Sequence, residues 1–254
     1  MKIRYLLPLF TLLSLGASAQ TPTADSLIRP LLGVHAWVDF GLNENQSLRQ
    51  ISSQLAPLGI TQRGTRLSAF GASSYRRMRR HDGEFRLWGM SNNDEYVTDP
   101  AVRGARIEGF GLGLLGTYRL VDTRRFMLGP GLGYDFQFYR LRIDAPTPGA
   151  VPIQTILSNP SAYESTRLNG FGLTANLALT AGYKFKLFKR SYEYWQLTGR
   201  VGYHLPVLYT REWAFDQTPV TGLDAYRPSA LYGSIGLIGF WRHDYLDRAR
   251  RRYR

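Results

Sequence analysis

GARIEGFGLGLLGTYRL, VDTRR and FMLGPGLGYDFQFYRLRID run consecutively from Gly104 to Asp144 and read as two long strands around a tight turn. On the first arm Phe110, Leu112, Leu114, Tyr118 and Leu120 share one parity, and Gly109, Gly111, Gly113, Thr117 and Arg119 the other. The second arm repeats the division. Phe126, Leu128, Leu132, Tyr134, Phe136 and Phe138 oppose Gly129, Gly131, Gly133, Asp135 and Gln137. Alternation with period two gives each strand one greasy face and one face of glycine and polar groups. A soluble sheet buries the greasy face under a second layer, whereas a membrane barrel turns it to lipid and keeps the small, polar face inside. The glycines then read as space for large neighbours in the lumen. GFGLG and GPGLG are not phosphate cradles, because no helix follows them.

Outward from this hairpin the pattern recurs. In LLGVHAWVDFGL, Val34, Ala36, Val38 and Phe40 alternate with His35, Trp37, Asp39 and Gly41. Further strands are expected from Thr65 to about Tyr75 and from Glu84 to about Ser91, with a turn at Asp82-Gly83 between them. Others run from Arg167 to Phe185, Trp195 to Thr210 and Ser229 to Arg242. The connections alternate between long and short. The first long one, Asn45 to Pro57, carries Leu48, Ile51 and Leu55 at helical spacing behind Asn45 or Ser47 as a cap, and predicts a short helix packed on the barrel rim. The later long ones are a polar loop before the opening hairpin, a four-proline loop after it, and a polar loop from Glu212 to Pro228. This layout predicts an all-β fold: an eight-stranded antiparallel up-and-down transmembrane β-barrel, with a short helix in the first long loop and short turns and termini in the periplasm. Several strands exceed the ~9–11 residues needed to cross, so the wall should project beyond the outer leaflet. Tyr118, Phe126, Tyr183, Phe185, Trp195 and Trp241 gather near the short-turn ends, and Phe138, Phe171 and Tyr209 near the long-loop ends, as two interfacial girdles would.

Residues 1–19 have the basic start, apolar run and Ala17-Ser18-Ala19 exit of a secretory signal peptide. The remaining divisions are a polar lead at 20–31, the barrel at 32–242 and a basic periplasmic tail at 243–254. The chain has no cysteine, which removes disulfide scaffolds, thiol catalysis and cysteine metal sites. No later run reaches the ~18 apolar residues of a spanning helix.

A formal charge of +13 first suggests nucleic acid. Its distribution argues otherwise. The cations cluster at the short-turn end: Arg76, Arg77, Arg79 and Arg80; Arg124 and Arg125; Lys186, Lys189 and Arg190; and Arg248, Arg250, Arg251 and Arg252 in the tail. This polarity suits a periplasmic rim against anionic phospholipid headgroups. Three of the four long connections are net acidic. A lipopolysaccharide receptor, which would carry its cations outside, is therefore not expected.

The inward parity supplies His35, Asp39, Asp135, Gln137, Asn176, Arg200 and His204. Such a cluster either binds a small ligand or relays protons, or it serves structure, with Asp39 and Asp135 neutralising Arg200. The structural reading is favoured, because small barrels have filled interiors and an unpaired buried charge is costly. No short motif supports a Ser-His-acid set around His204, His81 and His243 lie in basic polar segments, and metal-ligand spacing is absent. Neither catalysis nor a cofactor is expected.

LLGTYRL, FMLGPGLGYDF, LTAGYKF, GRVGYHLPVLYTREW and the early LRQISSQLAPLGI together resemble an uncharacterised family of Bacteroidota-type outer-membrane β-barrel proteins, and the layout is similar to the eight-stranded OmpA/OmpX-like barrels. The resemblance implies an outer-membrane location and dependence on the assembly machinery. Such barrels commonly end on an aromatic residue, but here a tail follows Phe240 and Trp241, so assembly would read an internal signal. The expected function is a non-enzymatic, monomeric outer-membrane protein in envelope structure or surface interaction. Ligand binding or transport through the lumen is the alternative, and a lipid-modifying enzyme the third reading.

Overall fold

The computed structural model describes residues 31–62, 64–92, 103–144, 165–186, 194–215 and 218–242. The signal peptide, most of the four-proline loop and the basic tail lie outside the described residues. In chain order the elements are β1 (Leu31–Gly41), α1 (Gln46–Leu55), β2 (Ile60–Gln62), β3 (Ser68–Arg77), β4 (His81–Ser91), β5 (Arg103–Tyr118), β6 (Val121–Asp122), β7 (Phe126–Ile143), β8 (Thr166–Phe185), β9 (Tyr194–Tyr209), β10 (Trp213–Phe215), β11 (Thr218–Val220) and β12 (Ala230–Arg242). Strands β1, β3, β4, β5, β7, β8, β9 and β12 pair antiparallel in that order, and β12 returns to β1. The sheet is a closed eight-stranded barrel, so its long strands leave no unpaired edge. Among the described residues no helix is long and apolar enough to cross a membrane.

The parity read from the hairpin holds around the wall. Val34, Phe70, Leu87, Phe110, Leu132 and Ile235 are exposed on the outside, while Trp37, Asp39, Arg86, Asp135 and Arg200 are buried within. A Cβ on Gly111 would overlap the Trp88 indole, and one on Gly113 the Asp135 carboxylate. These glycines make room for lumen side chains, as expected.

Two details correct the sequence reading. The β3–β4 turn is not at Asp82-Gly83. The Met78 N–H bonds to the His81 carbonyl across 2.9 Å, and Asp82 and Gly83 already pair with Arg77 and Arg76 inside the ladder. Asp82 thereby points inward, where its charge is matched. The loop from Glu212 to Pro228 is not wholly irregular either, because β10 and β11 form a small hairpin in it that adds to β8 at Asn169.

Helix α1 forms where its apolar spacing predicts. The Asn45 side chain accepts from the backbone N–H groups of Ser47 and Leu48, and Gly59, with φ 70°, ends the following turn in the left-handed region. Leu48, Ile51 and Leu55 pack with Trp37, Trp88, Ile107, Tyr139, Leu141, Trp213 and Tyr226 in one apolar cluster at the long-loop end. Buried Tyr226 has its phenol pushed well up by that burial. The helix closes the mouth of the barrel.

Candidate functional site

Below this apolar plug the inward parity, with the register between strands, brings charged groups from separate strands together. Glu84 of β4 is the hub. Its Oε1 accepts from Ser73 Oγ at 2.6 Å and lies 2.9 Å from His35 Nδ1, and its Oε2 accepts from Arg200 Nη2 at 2.6 Å. Arg200 Nε also donates to Thr180 at 3.1 Å. On the other side of His35, Thr198 Oγ1 lies 3.0 Å from Nε2 and donates to the Gly236 carbonyl.

A second set surrounds Arg86. Its Nη2 donates to Asp39 at 3.2 Å, its Nη1 lies 3.9 Å from Asp135, and its Nε lies 4.0 Å from Glu84, so it links the two sets. The guanidinium also sits over the Trp37 ring, 4.3 Å from the centroid, as cation–π geometry favours. Asp135 accepts from Asn176 Nδ2 at 2.8 Å, Tyr232 donates to Asn176 Oδ1 at 2.8 Å, and His204 lies 3.3 Å from Asp135 while stacking on Tyr232. Gln137 reaches Thr174 at 3.5 Å.

All seven residues expected in the lumen face inward, but their pairing differs from the expectation. Arg200 is neutralised by Glu84, while Asp39 and Asp135 are served by Arg86. Glu84 and Arg86 were missing from the sequence reading, although GEFRLWGM carries the signal: Phe85 and Leu87 share the outward parity, leaving Glu84, Arg86 and Trp88 inward.

A third group lies toward the short-turn end. Arg77 is not part of the basic rim. It is buried, donates from Nη2 to Asp82 at 3.0 Å and to Gln196 at 3.1 Å, bonds Tyr194, and stacks 4.6 Å above Phe240. Tyr75 donates to Asp82 at 2.8 Å, Arg119 lies 3.2 Å from the same carboxylate, and Arg119 also bonds Asp122 and the Met78 carbonyl. Arg76, Arg79, Arg80, Arg124, Arg125 and Lys186 are exposed at this end. Lys189, Arg190, Arg248, Arg250, Arg251 and Arg252 lie outside the described residues.

Among the described residues the buried charges are Asp39, Asp82, Glu84 and Asp135 against Arg77, Arg86, Arg119 and Arg200. Carboxylates and guanidiniums balance. The space left beside Asp39, Arg86 and His204 is a cavity of about 50 Å³, enough for a few waters. The network can hold strands together and fix their register; its own side chains fill the section where a ligand would sit.

Fold and site together define a closed eight-stranded barrel with an apolar exterior and a neutralised polar interior. Among solved structures the chain is similar to the crystal structure of Neisserial surface protein A (NspA), with 11% identity and a TM-score of 0.37 over 83% of this chain and 95% of that one. No protein-family model matches the chain, and no curated protein does so either.

Proposed function

We propose that this protein is a non-enzymatic integral outer-membrane barrel that serves envelope structure or surface interaction. The observation that carries the reading is the polarity of the wall: large apolar side chains such as Phe70, at 70% exposure, and Leu132, at 65%, cover the outside, while among the described residues eight charges are buried inside. In water this arrangement would forfeit on the order of 25 cal/mol for each Å² of apolar surface left wet. In lipid it is the stable one. The filled lumen supports a structural role over conduction. The short turns and termini face the periplasm in this reading, with the arginine-rich rim against anionic headgroups and the plugged mouth outside.

Membrane fractionation combined with a heat-modifiable gel shift tests the proposal. A band that co-fractionates with the outer membrane and migrates differently before and after boiling is expected, and a soluble, non-shifting protein would overturn it.

A further inference from the structure

Above the aromatic row Phe110, Phe138 and Phe171, the outer faces of β5, β7 and β8 continue in two registered rows. Glu108, Arg140 and Asn169 form the first, and Arg106, Arg142 and Arg167 the second. Three arginines thus stand directly opposite one another on adjacent strands, an arrangement that is destabilising when nothing lies between the charges. Asp144, 2.9 Å from Arg142 Nε, and Glu108, 3.6 Å from Arg106 Nε, offset part of it. Among the described residues the face still holds four guanidiniums against two carboxylates. An anion with several oxygens turns this repulsion into attraction, and guanidinium binds phosphate through two parallel hydrogen bonds.

The height of the rows places the anion. The arginine row lies four residues above the aromatic row, ~13 Å along the strands at ~3.3 Å per residue, or ~10 Å of height once the strands tilt ~40°. That is the headgroup layer of a bilayer whose hydrocarbon edge runs at the aromatic ring level. Just below, Phe70, Gly89, Phe110, Phe138, Glu108 and Arg140 border a groove of about 540 Å³. It opens where Gly89 interrupts the row between Phe70 and Phe110. The aromatic floor of the groove, the mixed row along its side and the arginine row beyond it follow one another as acyl chain, sugar and phosphate do in a phosphorylated glycolipid.

Resting on the outer-membrane reading above, we infer that the outer face of β5, β7 and β8 binds a phosphorylated glycolipid of the outer leaflet, its phosphate held by Arg106, Arg142 and Arg167 and an acyl chain lying in the groove over Gly89. The acidic long loops do not oppose this, because the cations are on the strands themselves.

The full chain, folded into detergent micelles, is titrated with fluorescent lipid A carrying both phosphates. The triple variant R106Q/R142Q/R167Q weakens binding at least tenfold, given about fivefold for each interfacial arginine, and Glu108→Gln strengthens it, which a misfolded variant would not do. Phosphatase-treated lipid A binds the unmodified protein as weakly as the triple variant binds the intact lipid. R124Q/R125Q, at the opposite end, leaves the affinity unchanged. Equal affinity in the triple variant and the parent, or equal binding of phosphatidylglycerol and lipid A, overturns the inference. A soluble chain with no heat-shifted band overturns the membrane reading instead, so the two failures are distinct.

Discussion

Arg200 of β9 donates to Glu84 of β4 across the lumen at 2.6 Å, joining two strands 116 residues apart in the chain through a side-chain bond. Both side chains are buried, so each charge leans on its partners in the network, and among the described residues this is the one full charge-to-charge hydrogen bond that Arg200 makes. Removing one partner of such a buried pair costs about 3–5 kcal/mol, whereas replacing both with apolar groups of similar volume is often neutral. Glu84→Ala should therefore lower the urea midpoint of the folded, heat-shifted species strongly. Adding Arg200→Met should recover a large part of the loss, and a purely additive double variant would show that the bond contributes no coupling.

Arg76 and Arg77 are neighbours with opposite fates. Arg76 faces out and is exposed, and Arg77 is buried against Asp82. Arg76→Gln should change stability by less than about 0.5 kcal/mol, and Arg77→Met should cost several times that because Asp82 loses a partner. Equal effects in an unfolding titration would return Arg77 to the rim.

Trp88 occupies the space over Gly111. Gly111→Val should cost about 1–3 kcal/mol by overpacking, and Trp88→Leu in the same chain should relieve much of it. A double-mutant cycle with coupling below about 0.5 kcal/mol would separate the two sites.

The cap of α1 gives a local prediction. Asn45→Ala removes the side chain that accepts from Ser47 and Leu48 and that donates to the Arg227 and Ser229 carbonyls at 3.1 and 2.8 Å. The capping loss alone is worth about 1 kcal/mol. Limited proteolysis should nick the segment from Asn45 to Leu58 earlier than in the parent while the heat-shifted band persists.

Much of this architecture is legible in the chain because a strand's period of two is unambiguous: Asp135, Asn176 and Arg200 fall on the small, polar parity and all prove to be internal. Depth is not encoded in parity. Asp39 and Arg200 share the inward side, but register brings Arg200 to Glu84 and Asp39 to Arg86, and register depends on where the turns close. RRMRRHDGE hides its inward members because basic residues beside Asp-Gly read as a turn, and only the Met78-to-His81 closure reveals Arg77 and Asp82 as a ladder pair. The β10–β11 hairpin escapes because its strands are three residues each, with Pro219 among them. Arg106, Arg142 and Arg167 look unremarkable in sequence and become a row only through two cross-strand alignments.

The contacts of Asn45 bear on the order in which the molecule is made. Its carboxamide reaches across 182 and 184 residues to the chain just ahead of the final strand, directly above the line where the first strand meets the last. Nothing of this latch can form while the C-terminal strand is still unplaced, and once formed it bolts the two ends of the sheet together from above. The latch is thus a contact of the closed ring: the Asn45 side chain can cap its own helix while the sheet is open, but its hold on the segment ahead of the last strand has a place to lock only once the ends of the sheet have met.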